Sequence, residues 1–373
     1  MRRYSVVGSV ASLERCRRVS VVLVLVVVAG LLVVVAPRVG AAPYSEPEYV
    51  GSVGQPGRAG VYAWGMATAG DGNLIVGDYW NYQVHEYTPE GVLVNTFGER
   101  GEGPGQNNAP HGVAVNPLDD SIYVADLNNA RINRWSANGV FIEELTTFAL
   151  SPFTFQPITV PFPYAPRLAF DANGWSYMVS SHSTPADFVN RIIIRDENWD
   201  VMGYIGEPGD FGVIRGIAVT PDGDVYAVDA GRGLVLKFER NPGGGPPSYS
   251  QSSFGSGFFG GDARGIAIDD VNGWVYVVDA FASQIEKFDM AGNHLLTWGS
   301  EGTGPGEFRD GGREVTLTAD PRAGFESAPP VVAVADFGNN RVNVYDSSGT
   351  FLWDFPNPPA PPPDDGFNQL QDV

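Results

Sequence analysis

The sequence predicts an all-β protein, a six-bladed β-propeller, and three observations lead to that fold class. Glycine and proline number 47 and 29 of the 373 residues, well above the roughly 12% that the pair makes up in average proteins, so turns are frequent. Hydrophobic residues make up 43% and aromatic residues 12%, enough for a large core. A unit of four short strands also recurs six times at intervals of about 50 residues, the size of a propeller blade.

The first 42 residues have the pattern of an export segment. Five arginines precede an apolar stretch at residues 21–36, and small residues follow at 39–42. This pattern is typical of a signal peptide cleaved after Ala41 or Ala42, or of an uncleaved transmembrane signal anchor. Either arrangement places the rest of the chain outside the cytoplasm, secreted or at the cell surface. The segment contains the only cysteine, Cys16, so the exported part must be stabilised by its core rather than by disulfides.

The exported part is strongly acidic. The whole chain has a net charge of -20, and loss of residues 1–41 removes six arginines and Glu14, which makes it -25. Nucleic-acid binding is excluded as a function class because it requires a broad basic face. The partner classes left open are a protein, a glycan or a small anionic ligand, with membrane contact only through an uncleaved N-terminal segment.

The six repeats extend from residue 43 to residue 355. Each has a first strand, which begins near a glycine in four repeats and near Arg167 or Glu314 in the other two, then a tight turn, a second strand that ends in aspartate except in the third repeat, a loop, and two further strands. The strands alternate in hydrophobicity, and turn pairs such as Asp71-Gly72 and Asn138-Gly139 join them. The positions of the strand-ending aspartate are Asp78, Asp126, Ser180, Asp229, Asp279 and Asp336.

Residues 334–346 and the glycine-rich connectors 101–106 and 302–308 resemble the NHL-repeat family, and the resemblance covers residues 47–355. It implies a six-bladed propeller in which the strand-ending aspartate, with an asparagine three residues later and an arginine five residues later, fixes a loop. Residues 49–57 read as a strand and connector that pair with the last blade and close the ring. Residues 356–373, rich in proline and acid, are predicted to be a disordered tail.

The residue before each first strand lies at the mouth of the central channel in such a fold, on the face that carries the connectors between blades. These mouth positions are Trp64, His111, Pro166 with Arg167 after it, Arg215, Arg264 and Arg313. Hairpin counting sets Arg215 opposite Asp229 or Ala230 and Arg264 opposite Asp279, so each arginine could bond the aspartate of its own blade, which would be a structural role. Alternatively, the arginines form a pocket for a carboxylate or phosphate. Both readings can hold together.

Blade 3 departs from the repeat. Ser180 replaces the aspartate, and residues 181–190, with His182, lengthen the following loop. The connector before this blade is aromatic and proline-rich, and it includes Tyr164. Loop and connector emerge on the same face as the arginines, so they either contribute to a binding surface or cap the channel.

These observations predict an exported, non-catalytic binding module without a cofactor. Its ligand-binding residues are Trp64, His111, Tyr164, Arg167, His182, Arg215, Arg264 and Arg313. The alternative is a metal-dependent lyase or hydrolase that uses the channel mouth, because the amidating lyase of the NHL-type family binds zinc through blade-opening histidines. Only His111 matches that motif, so the site would need His182 and a carboxylate to hold a divalent metal.

Overall fold

The computed structural model describes residues 60–146, 167–179, 191–207, 210–242, 247–321 and 329–355, and the backbone of four short strands outside these ranges. The chain divides into two units, Met1–Glu46 and Pro47–Val373. The first contains one antiparallel pair of strands, Leu25–Val28 and Leu31–Val34. Within the described ranges no helix has the length and hydropathy needed to span a membrane. The predictions for the remainder of residues 1–59, including the ring-closing strand at 49–57, and for the tail lie outside the described residues.

The second unit is a six-bladed β-propeller, which confirms the predicted fold class. Each blade is an antiparallel sheet whose four strands follow one another in chain order. The strands of blades 1 to 3 are Ala63–Thr68, Leu74–Asp78, Gln83–Tyr87 and Leu93–Phe97; Pro110–Val115, Ile122–Asp126, Arg131–Trp135 and Phe141–Leu145; and Arg167–Phe170, Ser176–Val179, Ile192–Arg195 and Val201–Ile205.

Blades 4 to 6 have the same design. Their strands are Ile214–Val219, Val225–Asp229, Leu234–Arg240 and Tyr249–Phe254; Ala263–Asp269, Trp274–Asp279, Gln284–Asp289 and His294–Trp298; and Val315–Thr318, Val331–Asp336, Arg341–Tyr345 and Phe351–Phe355. The minor elements are the parallel pair Glu99–Arg100 and Gln106–Asn107, the antiparallel pair Ala149–Leu150 and Pro157–Ile158, and the 3-10 turns Leu127–Asn129 and Phe337–Asn339.

The hydrophobic core lies between the blades. The described core falls into six clusters, and each joins one pair of neighbouring blades. The largest fully buried side chains are tyrosines of the second and third strands, among them Tyr123, Tyr226 and Tyr276. Burying such rings against the next sheet supplies the main stabilisation of a propeller without disulfides.

The ring closes directly between blades 6 and 1. Blade 6 takes all four strands from the C-terminal part of the described chain. The hydroxyl of Thr68 donates a hydrogen bond to the carbonyl of Leu317 at 2.7 Å, and Val61 N–H donates to Asn340 O at 3.3 Å. One core cluster also contains buried residues of both blades.

The predicted loop network around the strand-ending aspartate is present. In blade 6, Asp336 Oδ2 accepts hydrogen bonds from Asn339 Nδ2 at 2.8 Å and from Arg341 Nε at 2.9 Å. Arg341 Nη2 also donates to the carbonyl of Glu307 in the glycine-rich connector at 2.9 Å. The network therefore fastens the connector to the blade. Equivalent contacts occur in blade 2 at Asp126, Asn129 and Arg131.

The substitution Asp336→Ala should destabilise the fold by roughly 3–5 kcal/mol, because it leaves the largely buried Arg341 without its inner carboxylate. Urea unfolding at neutral pH measures the change. Asp270→Ala, at an exposed turn position of blade 5, is the matched control and should change the free energy of unfolding by less than about 0.5 kcal/mol. Equal unfolding midpoints for the two variants would show that the network does not stabilise the fold.

Candidate functional site

Four of the side chains at the channel mouth are placed there by β-bulges. In blade 1, Ala63 pairs with Asp78 and Gly65 pairs with Gly77, so Trp64 has no partner in the ladder. Arg215 is skipped in the same way in blade 4. The register also shifts at His111 in blade 2 and at Arg264 in blade 5. A bulge redirects the extra side chain out of the sheet, and here the four side chains meet at the mouth.

The glycines after the bulges of blades 1 and 4 meet a steric requirement. A Cβ atom on Gly216 would lie 2.1 Å from the carbonyl oxygen of Arg264, and one on Gly65 would lie 2.3 Å from that of His111. These distances are too short for any side chain, so the first strands of adjacent blades can approach only with glycine here.

Two blades have side chains where the others have glycine. Blade 3 has Arg167 and blade 6, on the opposite side of the ring, has Glu314. Arg167 Nη1 lies 2.7 Å from Glu314 Oε2, and the side chains are only 9% and 13% exposed. Both line a channel cavity of about 310 Å³, to which the first strands of all six blades contribute. This ion pair therefore spans the channel where it meets the mouth.

Arg215 and Arg264 share one carboxylate, that of Asp262. Arg264 donates to Asp262 Oδ2 from Nη2 at 2.8 Å and from Nε at 3.1 Å, and Arg215 Nε lies 3.2 Å from Asp262 Oδ1. The pairing of Arg215 with Asp229 and of Arg264 with Asp279, expected from hairpin counting, is wrong. The bulges shift the register by one residue, so Ile214 and Ala263 lie opposite those aspartates.

Arg313 has the least compensated charge among the described mouth residues. Its Cζ lies 5.1 Å from the ring centre of Trp64 and 5.2 Å from that of Phe337. Its Nη1 donates to the carbonyl oxygens of Asp310 at 2.7 Å and Gly311 at 3.4 Å, and its buried Nε has no hydrogen-bond partner there. Burial, followed by repulsion from Arg264, lowers the pKa of Arg313 to about 10.

His111 completes the floor of the mouth. Its ring centre lies 4.9 Å from that of Trp64. In the part of the chain that the structure describes, His111 Nδ1 and Trp64 Nε1 are both buried without a hydrogen-bond partner. Burial and the charges of the surrounding arginines, Arg167 first, hold the pKa of His111 well below its usual value. The imidazole is therefore neutral at pH 7.

The mouth is a positive site on an acidic protein. It brings together six of the eight residues predicted from the sequence, Trp64, His111, Arg167, Arg215, Arg264 and Arg313. The other two, Tyr164 and His182, lie outside the described residues. Sequence reasoning missed Asp262 and the partner role of Glu314. The signal for Glu314 was its position, since it replaces a glycine in the blade opposite Arg167.

The described mouth residues do not fit a divalent metal. Among the described parts of the chain, no three histidine, cysteine, aspartate or glutamate side chains lie close enough together to hold a metal ion. The charges around His111 are guanidiniums, which repel a cation and attract an anion. The arrangement instead offers hydrogen-bond donors in fork geometry, the chemistry that binds carboxylates and phosphates.

Sequence comparisons give partial matches. No family model matches the chain. It is 29% identical over 175 residues to peptidyl-glycine alpha-amidating monooxygenase A of Xenopus laevis, which covers 45% of this chain and 18% of the relative. The rat enzyme, peptidylglycine alpha-amidating monooxygenase, matches at 29% over the same length and 17% of its own sequence. The chain thus spans less than a fifth of these relatives.

Structural comparisons support the fold. A streptogramin B lyase superposes with a TM-score of 0.52 and 11% identity over 80% of this chain and 83% of its own. The WD40 repeats of RRP9 superpose with a TM-score of 0.53 and 12% identity over 81% and 82%. At such identities the likeness concerns the fold alone, and the protein is a six-bladed β-propeller with four-stranded blades.

The lowered pKa of His111 predicts a pH dependence of stability. Below pH 6.5 the unfolded chain binds a proton at His111 that the folded chain does not bind. The free energy of unfolding therefore decreases as the pH is lowered. Between pH 7.5 and 5.5 the wild type should lose about 1.4 kcal/mol more than the variant His111→Gln. Urea unfolding of both proteins at the two pH values measures this difference. Identical losses would mean that His111 titrates normally in the folded protein.

Proposed function

We propose that this protein is an exported NHL-type propeller that binds a small anionic ligand at the channel mouth without catalysing a reaction. One observation carries the proposal: the Arg313 guanidinium lies against the rings of Trp64 and Phe337, and the hydrogen-bond acceptors described for it are backbone carbonyls. A partly buried guanidinium that contacts no carboxylate is costly, and a bound anion offsets that cost.

The position of the site supports a binding role. The mouth borders the channel cavity, and the side chains of Arg215 and Arg264 project from bulges of closely packed strands. Such a scaffold holds the guanidiniums in place before a ligand arrives, which lowers the entropy cost of binding. An acidic surface around a positive pocket also disfavours large polyanions and leaves a small anion as the fitting ligand.

The family and the location belong to the same proposal. The aspartate, asparagine and arginine network of blades 2 and 6 supports the NHL assignment. Export rests on the basic and apolar N-terminal sequence. We therefore place the site outside the cytoplasm, either in a secreted protein or in one anchored at the cell surface.

Titration calorimetry with inorganic phosphate at pH 7.5 and constant ionic strength tests this function. The wild type should bind phosphate, and Arg313→Gln should weaken binding by about tenfold or more, because it removes a charge-assisted hydrogen bond. Arg100→Gln removes an equal charge at an exposed position and should leave the affinity unchanged. If both variants bind like the wild type, the mouth is not the site.

A second candidate function is metal-dependent lyase chemistry at the mouth. It is favoured by the 29% identity to the amidating monooxygenases and by the unpartnered Nδ1 of His111. The surrounding guanidiniums and the lack of a ligand cluster among the described residues argue against it.

Metal analysis of the purified protein separates the two functions. Binding without metal chemistry predicts less than about 0.1 equivalent of any transition metal, since one histidine does not make a catalytic zinc site. A stoichiometric metal that is lost in His111→Ala would favour the lyase.

A further inference from the structure

The charges of the mouth do not balance, and the imbalance bears on the kind of anion that fits. Glu314 neutralises Arg167 through the contact at 2.7 Å. The remaining described guanidiniums belong to Arg215, Arg264 and Arg313, and the carboxylate of Asp262 contacts the first two of them. With His111 neutral, the described residues therefore bring three positive charges to one negative charge.

One more carboxylate lies near the mouth. Asp310 is among the groups that act on the charge of Arg313. Its side chain is exposed, however, and solvent and salt screen an exposed charge far more than a buried one. Counted over the described residues, the partly buried site thus retains an excess of two positive charges.

The two excess charges lie at neighbouring positions. One is on Arg313, against the ring of Trp64. The other is shared by Arg215 and Arg264 around Asp262, and the Cζ of Arg264 lies 5.7 Å from the same Trp64 ring. The unpartnered Nε of Arg313 and Nε1 of Trp64 supply donors beside them. A ligand with one negative charge would leave one of these guanidinium positions uncompensated.

We propose that the mouth is specific for small dianions, either a dicarboxylate or a phosphate monoester, whose two charges match Arg313 and the pair Arg215 and Arg264. This proposal rests on the proposed function and specifies its ligand class. Asp262 limits the affinity, because its carboxylate already occupies part of the guanidinium surface that the ligand needs. The selectivity arises from charge number rather than from shape.

Two pairs of probes of matched shape test the charge number. Succinate is compared with succinamate, and methyl phosphate with dimethyl phosphate, by titration calorimetry at pH 8 and constant ionic strength. Each dianion should bind the wild type about tenfold or more tightly than its monoanionic partner, because only the dianion compensates both positions. Whichever of succinate and methyl phosphate binds more tightly identifies the class of the ligand as a dicarboxylate or a phosphate ester.

Two variants with opposite expected effects separate recognition from folding. Arg313→Gln should reduce the preference for the dianion to about twofold or less, since one excess charge is gone. Asp262→Asn should increase the affinity for succinate several-fold, an outcome that damage to the fold does not produce. Arg100→Gln, the exposed control, should keep the wild-type preference.

The outcomes distinguish the dianion proposal from the proposed function on which it rests, anion binding at the mouth. Equal binding of both members of each pair, lost in Arg313→Gln, would overturn the dianion proposal and leave an anion site. Weaker binding of succinate by a folded Asp262→Asn protein would also contradict it, since Asp262 would then help to hold the ligand. Failure of all four probes to bind the wild type would overturn both proposals.

Discussion

The close approach of the first strands around the channel is the constraint on which the rest of the structure depends. At the mouth the backbones of neighbouring blades come so near that a Cβ on Gly216 or Gly65 would collide with a carbonyl oxygen. At the position that glycine occupies in the other four blades, blades 3 and 6 have the side chains of Arg167 and Glu314, which meet across the channel. The bulge residues that directly precede this position in the sequence therefore provide most of the side chains of the mouth.

This arrangement separates the residues that stabilise the ring from those of the proposed binding site. The core between blades and the loop networks at Asp126 and Asp336 hold the ring together. Four of the mouth side chains, those of Trp64, His111, Arg215 and Arg264, leave the sheets at bulges and so contribute little to the packing between blades. The mouth can therefore contain partly buried groups with lowered pKa values, such as Arg313 and His111. Perturbed groups of this kind in a concave site are typical of ligand binding rather than of folding.

The sequence predicts much of this structure because the repeat is informative. The turn pairs and the strand-ending aspartates locate the blades. Once the mouth position is known in one blade, counting along the repeat locates the equivalent residue in the next blade. That is why Trp64 and Arg264, 200 residues apart in the sequence, were expected at the same opening, where the structure places them. The aspartate network follows from short spacings, and it too was predictable.

The partners of the arginines were not predictable by the same reasoning. Hairpin counting assumes a regular ladder, and the bulges at Arg215 and Arg264 break it, so Asp262 replaced the expected aspartates. The contact between Arg167 and Glu314 depends on the width of the ring, which no local pattern encodes. Blade 3 also departs from the repeat around Tyr164 and His182, where counting gives no guidance.

A crystal structure of the protein grown with succinate tests the central claim most directly. The account predicts density for one succinate at the mouth, with one carboxylate on Arg313 beside Trp64 and the other near Arg215 and Arg264. An empty mouth at saturating succinate, with Arg313 turned to a carboxylate of the protein itself, would contradict it.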